Sequence, residues 1–163
     1  MQSRNLLQKN IEKTSRDVIV LDIRKKVAYL KRKYDTSNPF DLAACLGIKV
    51  IFEDLGTING YYNKQLRMKQ IHINQNLPEC IQKLTCAHEL GHALIHPNAN
   101  TPFLRNSTFY SVDKLEIEAN TFAAELLISD DDIEEYKDFT VEQFSRLTGY
   151  HEELIRLKLT LIS

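Results

Sequence analysis

The sequence predicts an α+β fold: a small mixed or antiparallel sheet of about three strands packed against one buried helix, with further helices at the N- and C-terminal ends. Three observations carry that prediction. Residues 48–74 hold short β-branched and apolar runs punctuated by Gly56 and Gly60, the pattern of strands and turns. In residues 84–95 the apolar side chains Leu84, Cys86, Ala87, Leu90, Ala93, Leu94 and Ile95 fall around nearly the whole helical circumference, as in a helix at the centre of a domain. The two flanks carry helical periodicity and helix caps. With 163 residues and 43% hydrophobic content, the chain suits one domain over residues 1–163 and is short for two.

Residues 1–15 are polar and read as a frayed end or a short helix. From Arg16 to Tyr34 the pattern is helical, with Ser15 as N-cap and Ile19, Val20, Ile23, Val27 and Leu30 inward, although Val18-Ile19-Val20 would also suit a strand. The basic residues Arg24, Lys25, Lys26, Lys31, Arg32 and Lys33 read as its solvated face. Asn38 and Pro39 open a short second helix, and Gly47 stops it. Ile48 to Phe52 is apolar enough for an inner strand, Tyr61 and Tyr62 begin a second, and Gln70 to Asn74 makes a third. In that third strand Ile71 and Ile73 mark the buried face. His72 lies on the wet one, a commoner place for a strand histidine than a metal site.

Pro78 and Glu79 start the central helix. The segment 98–112, polar but carrying Phe103, Leu104, Phe109 and Tyr110, is expected to border a substrate cleft. A helix over 114–127 follows, with Leu115, Ala119, Phe122 and Leu126 as its core stripe. Ser129 then caps an acidic turn, Asp130 to Asp132, that lacks the spacing and glycine of a calcium loop. Thr140 and Gln143 form a capping box for a helix ending near Gly149, and His151 to Leu161 is the last helix. Residues 140–163 are read as a helical cap on the core.

The chemistry sits in the central helix. His88, Glu89 and His92 spell His-Glu-x-x-His. At about 100° per residue the two histidines lie roughly 40° apart, one turn along the same face, so both imidazoles can reach one ion. Glu89 lies about 100° from His88, beside the ligand line, where a carboxylate can act as general base on a water. Buried histidine and glutamate need compensation, and on an otherwise apolar helix an ion supplies it. Cys86 is turned roughly 200° from His88 and belongs to the core. His96, about 12 Å along the axis from His88, is too far to share the ion and instead closes the helix before Pro97.

A third ligand is expected from the 114–127 helix. Glu118, Thr121 and Glu125 recur as a polar line that reads as a solvated face. Glu116 aligns with Asn120, Ala123 and Leu127 beside the core. Helical spacing favours Glu116 over Glu118 without excluding the latter, and Asn120 is placed to hydrogen-bond a ligand histidine. Two imidazoles and a carboxylate suit Zn2+, and also admit manganese or iron. Arg105, Tyr110 and His96 are candidate oxyanion stabilisers among which no spacing rule selects.

The pair of motifs, His88-Glu89-Leu90-Gly91-His92 and Glu116-Ile117-Glu118-Ala119-Asn120 with Thr121 to Leu127, resembles the ImmA/IrrE family of bacterial metallopeptidases. The similarity extends more loosely from about Tyr29 to the C-terminus. It implies a gluzincin-like second motif whose first glutamate, Glu116 here, ligates zinc. It also implies a cytoplasmic protease that cleaves a repressor protein, often one guarding a mobile genetic element or a stress regulon. Ile128-Ser129 stands where many members carry methionine and proline, a departure at a helix end.

Composition excludes several alternatives. A net charge of −1 and a pI near 6.5 give no global basic field for nucleic acid. Three irregularly spaced cysteines, Cys45, Cys80 and Cys86, suit a reducing compartment. No signal-peptide pattern opens the sequence, and no apolar run approaches a membrane span. The rival reading is a DNA-binding regulator that uses the helix, glycine turn and helix near the C-terminus, with a structural zinc. Glu152 and Glu153 stand against it, occupying positions where basic or amide side chains would meet DNA.

Overall fold

The computed structural model describes residues 2–98 and 114–162, with side chains from residue 17 onward. Helix α1 runs Gln2–Tyr34. Ser15 therefore lies inside a continuous helix and does not cap one. With no glycine or proline between Gln2 and Tyr34, nothing interrupts propagation, and the β-branched run Val18 to Val20 is carried by its helical flanks. Ile23, Val27 and Leu30 face the core. Helix α2 (Pro39–Cys45) begins as expected: the Asn38 side chain accepts the Phe40 amide at 2.9 Å. Its chain leaves through Gly47 at φ +67°.

Three strands follow, β1 (Lys49–Glu53), β2 (Gly60–Gln65) and β3 (Met68–Asn74), in the order β1-β3-β2. β1 pairs parallel to β3 and β2 pairs antiparallel to it, so the sheet is mixed. The 48–52 segment, expected as an inner strand, is an edge. The two-residue turn Leu66-Arg67, both at positive φ, folds β2 directly back beside β3 and leaves β1 only the far side of β3. Register places Val50, Ile71 and Tyr62 on one face, with Phe52, Ile73 and Gly60 beside them. On the other face His72 lies between Ile51 and Tyr61.

Helix α3 (Glu79–Ile95) covers the first face. The approach is close enough that a Cβ on Gly60 would lie 2.3 Å from Thr85 Cγ2. Helix α4 (Lys114–Leu127) crosses α3 at Gly91, where a Cβ would meet Ala119 Cα at 3.0 Å and Phe122 Cβ at 3.1 Å. Glycine is what lets the two backbones come this near. Leu42, Tyr62, Ile71, Ile73, Leu90, Phe122, Leu126 and Ile155 fill one core beneath these elements.

Helices α5 (Asp130–Glu135), α6 (Val141–Thr148) and α7 (Glu152–Ile162) complete the described chain. Ser129 with Asp132, and Thr140 with Gln143, form capping boxes. α7 packs on α4, burying Leu154, Ile155 and Lys158. Lys158 is what corrects the reading of α4. Glu118, Thr121 and Glu125 are buried and not a solvated face, because α1, α7 and the end of α3 cover that side and supply polar partners, Arg24, Lys158 and His96. Lys158 Nζ meets Glu125 Oε2 at 2.9 Å. Among the described residues no helix is long and apolar enough to cross a membrane.

Candidate metal centre

The α3–α4 crossing sets the site. His88 and His92 rise one turn apart from the buried middle of α3, and α4 presents Glu116 to both. Glu116 Oε2 lies 3.2 Å from His88 Nε2, and Oε1 lies 3.2 Å from His92 Nε2. The two Nε2 atoms are 3.2 Å from each other. Ligand atoms of all three residues fall within 4.8 Å of one another, and among the described residues this is the group that could hold a metal ion.

The lone pairs show why a cation fits. His88 Nδ1 donates to Asn120 Oδ1 at 2.7 Å, which leaves the Nε2 of a neutral ring as an acceptor facing a carboxylate and a second imidazole. Acceptors converging on one point in a buried place repel unless a positive charge lies among them. Burial opposes charge on His88, yet its bonds and charge interactions with Glu116, Glu89 and Asn120 hold its pKa above the ordinary value. Burial would likewise raise the Glu116 pKa, but the two imidazoles hold it well below the usual carboxylate range. Electrostatically the pocket is built for positive charge.

Glu89 is buried beside this trio on the next position of α3. Cys86 packs in the core, its thiol pKa raised by burial and by the Glu89 charge. Asn120 sits where helical spacing places it. Glu118 turns away from the trio: its Oε2 meets His96 Nε2 at 3.1 Å, and its Oε1 lies 3.7 Å from Lys114 Nζ. His96 caps α3 through its backbone amide, bonded to the His92 carbonyl at 2.8 Å, and its ring centroid is 5.9 Å from that of His92. His96 is thus a neighbour of the trio held by a carboxylate, a pairing the sequence offered no spacing to find. His72 is away from the trio. Half-buried rather than wet, it bonds Glu53 Oε1 through Nδ1 at 2.5 Å and stacks on Tyr61 at 4.3 Å. Arg105, Tyr110 and the rest of the expected cleft-bordering loop from residue 99 onward lie outside the described residues.

A family model, the IrrE N-terminal-like domain, matches residues 43–159. Immunity region protein 2 of Bacillus phage phi105 is 46% identical over 139 residues, covering 83% of this chain and 88% of that protein. Metallopeptidase ImmA of Bacillus subtilis strain 168 is 36% identical over 110 residues, covering 66% of this chain and 64% of that protein.

Proposed function

Because the chain belongs to the ImmA/IrrE family of metallopeptidases, we propose that it is a zinc endopeptidase that cuts a specific protein, a transcriptional repressor of a mobile genetic element or stress regulon. The observation that carries the chemistry is the convergence of His88, His92 and Glu116 with Glu89 one residue from the first histidine. These three would hold the ion, and Asn120 would orient His88 through its Nδ1 proton. When bound, a zinc ion supplies Lewis acidity, lowering the pKa of water toward roughly 7 and polarising a scissile carbonyl.

The remaining steps belong to the protein. Glu89 accepts the proton of the attacking water and passes it to the departing amine. Among the described residues the sheet has two edges, β1 and β2, and β2 is the one tied to the end of α3: Tyr62 donates its hydroxyl proton to the Pro97 carbonyl at 2.9 Å. An extended substrate added to β2 on the side away from β3 would gain affinity from backbone hydrogen bonds and selectivity from alternate side chains. The phage relative is described by an immunity region, which supports a repressor as target and the bacterial cytoplasm as the place of action.

The test is incubation of the purified chain with the repressor encoded beside its gene, with zinc and with chelator. Cleavage is expected only with metal. Glu89→Gln should retain one equivalent of metal and the native melting curve while losing at least about 100-fold in rate. A Glu89→Gln protein that still cuts at the wild-type rate removes Glu89 from the reaction.

A further inference from the structure

A cleft of about 380 Å³ opens where α1, the end of α4 and α7 meet. That volume is within the range of small-molecule sites, which begins at roughly 300 Å³, and far exceeds the roughly 30 Å³ of one water. Val27 and Ile128 give it apolar wall, and the rest of its lining is largely charged.

Most of that charge is matched internally. Lys158 Nζ meets Glu125 Oε2 at 2.9 Å and Asp130 Oδ1 at 2.6 Å, while Arg24 reaches Asp130 Oδ2 at 2.8 Å and Glu125 Oε1 at 3.4 Å. Two cations and two carboxylates close a four-cornered network in which every carboxylate oxygen faces a cation. Lys25 and Asp131, exposed and of opposite sign, balance each other on the rim. Lys31 stands outside both sets. Its Nζ donates to the main-chain carbonyl of Glu125 at 2.7 Å, an uncharged acceptor, and among the described residues no carboxylate forms an ion pair with it. The C-terminal end of α4 carries about half a negative charge, which answers only part of an ammonium. Two of the three ammonium donors remain unspent. Burial lowers the Lys31 pKa, and the positive charge of Lys158 lowers it further; Glu125, Asp132 and Asp130 offset only part of this. Lys31 is half-buried, not sealed, so a solute in the cleft can reach it.

We propose that this cleft is a binding site for a small anion, a carboxylate or a phosphate, held by a charge-assisted bond to Lys31. The anion supplies the negative charge that the lining lacks and joins α1 to the C-terminal end of α4. Glu116 lies nine residues before Glu125, roughly 13 Å along the same helix, so the site is separate from the metal trio. Anion binding here requires neither the metal nor peptide hydrolysis. A ligand that binds only the folded chain raises its stability, and that is the readout.

The zinc-loaded full chain is titrated with sodium phosphate and, separately, with disodium succinate, each against sodium chloride of equal ionic strength, and Tm is followed by calorimetry. One of the two anions should raise Tm saturably by at least about 3 °C, and which one does so tells a phosphate site from a carboxylate site. Lys31→Met keeps the aliphatic stem and should abolish the shift. Ala28→Phe fills the cleft from α1 without changing any charge and should abolish it too. Ala28 is exposed, so this second variant keeps the fold even if the first does not. A Tm indifferent to both anions overturns the proposal and leaves water as the occupant. A shift that survives either substitution also overturns it, placing the anion elsewhere, the metal centre included.

Discussion

Glu116 and Glu118 are two residues apart and have different surroundings, and that difference supports the proposed role of Glu116 as third ligand. Glu116 reaches both imidazoles, whereas Glu118 is occupied by His96. Glu116→Ala should therefore lose stoichiometric zinc as measured by elemental analysis after dialysis, while Glu118→Ala keeps it. The reverse result moves the ligand assignment to Glu118. Asn120→Ala should retain the ion but weaken it about 10–100-fold in chelator competition, since His88 would lose the partner of its Nδ1 proton. At this scale the sequence was informative because ligand spacing is a local property of a helix. The His-Glu-x-x-His pattern and the i, i+4 pair Glu116 and Asn120 need only 3.6 residues per turn to be legible. The burial of Glu118 and Glu125 was not legible, since a polar line on a helix looks the same whether water or another helix's lysine faces it.

At the scale of elements, the distance between α3 and α4 determines whether three ligand atoms meet. Gly91 sets that distance, with the backbone of Ala119 at 3.0–3.1 Å from where its Cβ would stand. Backbone cannot swing aside as a long side chain can. Gly91→Ala should cost about 1–3 kcal/mol in denaturant unfolding and also weaken zinc binding, because the helices must separate by a few tenths of an ångström. A variant of unchanged stability and zinc affinity would show that the crossing adapts without strain. The order of the strands also belongs here. Apolar content suggested that residues 48–52 were interior, but the hairpin geometry at Leu66-Arg67 gave the central place to β3. Edge and centre are relations between strands, and no strand's own composition fixes them.

Across the described residues, a charge network centred on the buried Lys158 and Glu125 ties α1 and α7 to α4. Lys158 of α7 meets Glu125 of α4 at 2.9 Å and Asp130 at 2.6 Å, while Arg24 of α1 reaches Asp130 at 2.8 Å and the Leu161 carbonyl at 3.2 Å. Lys158→Ala should destabilise by about 3 kcal/mol, since it leaves the buried Glu125 carboxylate with only Arg24 Nε at 3.4 Å, and Lys158→Met should recover part of that loss. The Lys158 bond holds the Asp130 pKa below its ordinary 3.8. A lowered carboxylate pKa stabilises in full above the unfolded value and loses its contribution as pH falls through the folded one. The Tm gap between wild type and Asp130→Asn should therefore be widest above the ordinary carboxylate pKa and close as the pH falls below it through the lowered folded-state value. A gap independent of pH would place the effect of Asp130 elsewhere.

By itself the sequence determined the local periodicities: the central apolar helix, the capping boxes at Ser129 and Thr140, the stop at Gly47, and the spacing of the candidate ligands in each of two helices. Each follows from interactions between residues within a few positions of one another. Only the tertiary structure decided that Glu116 faces the histidines, that Glu118 and Glu125 are buried in ion pairs, and that β3 is central. Those facts depend on which face of one element meets which face of another, and that is settled by packing the whole core at once.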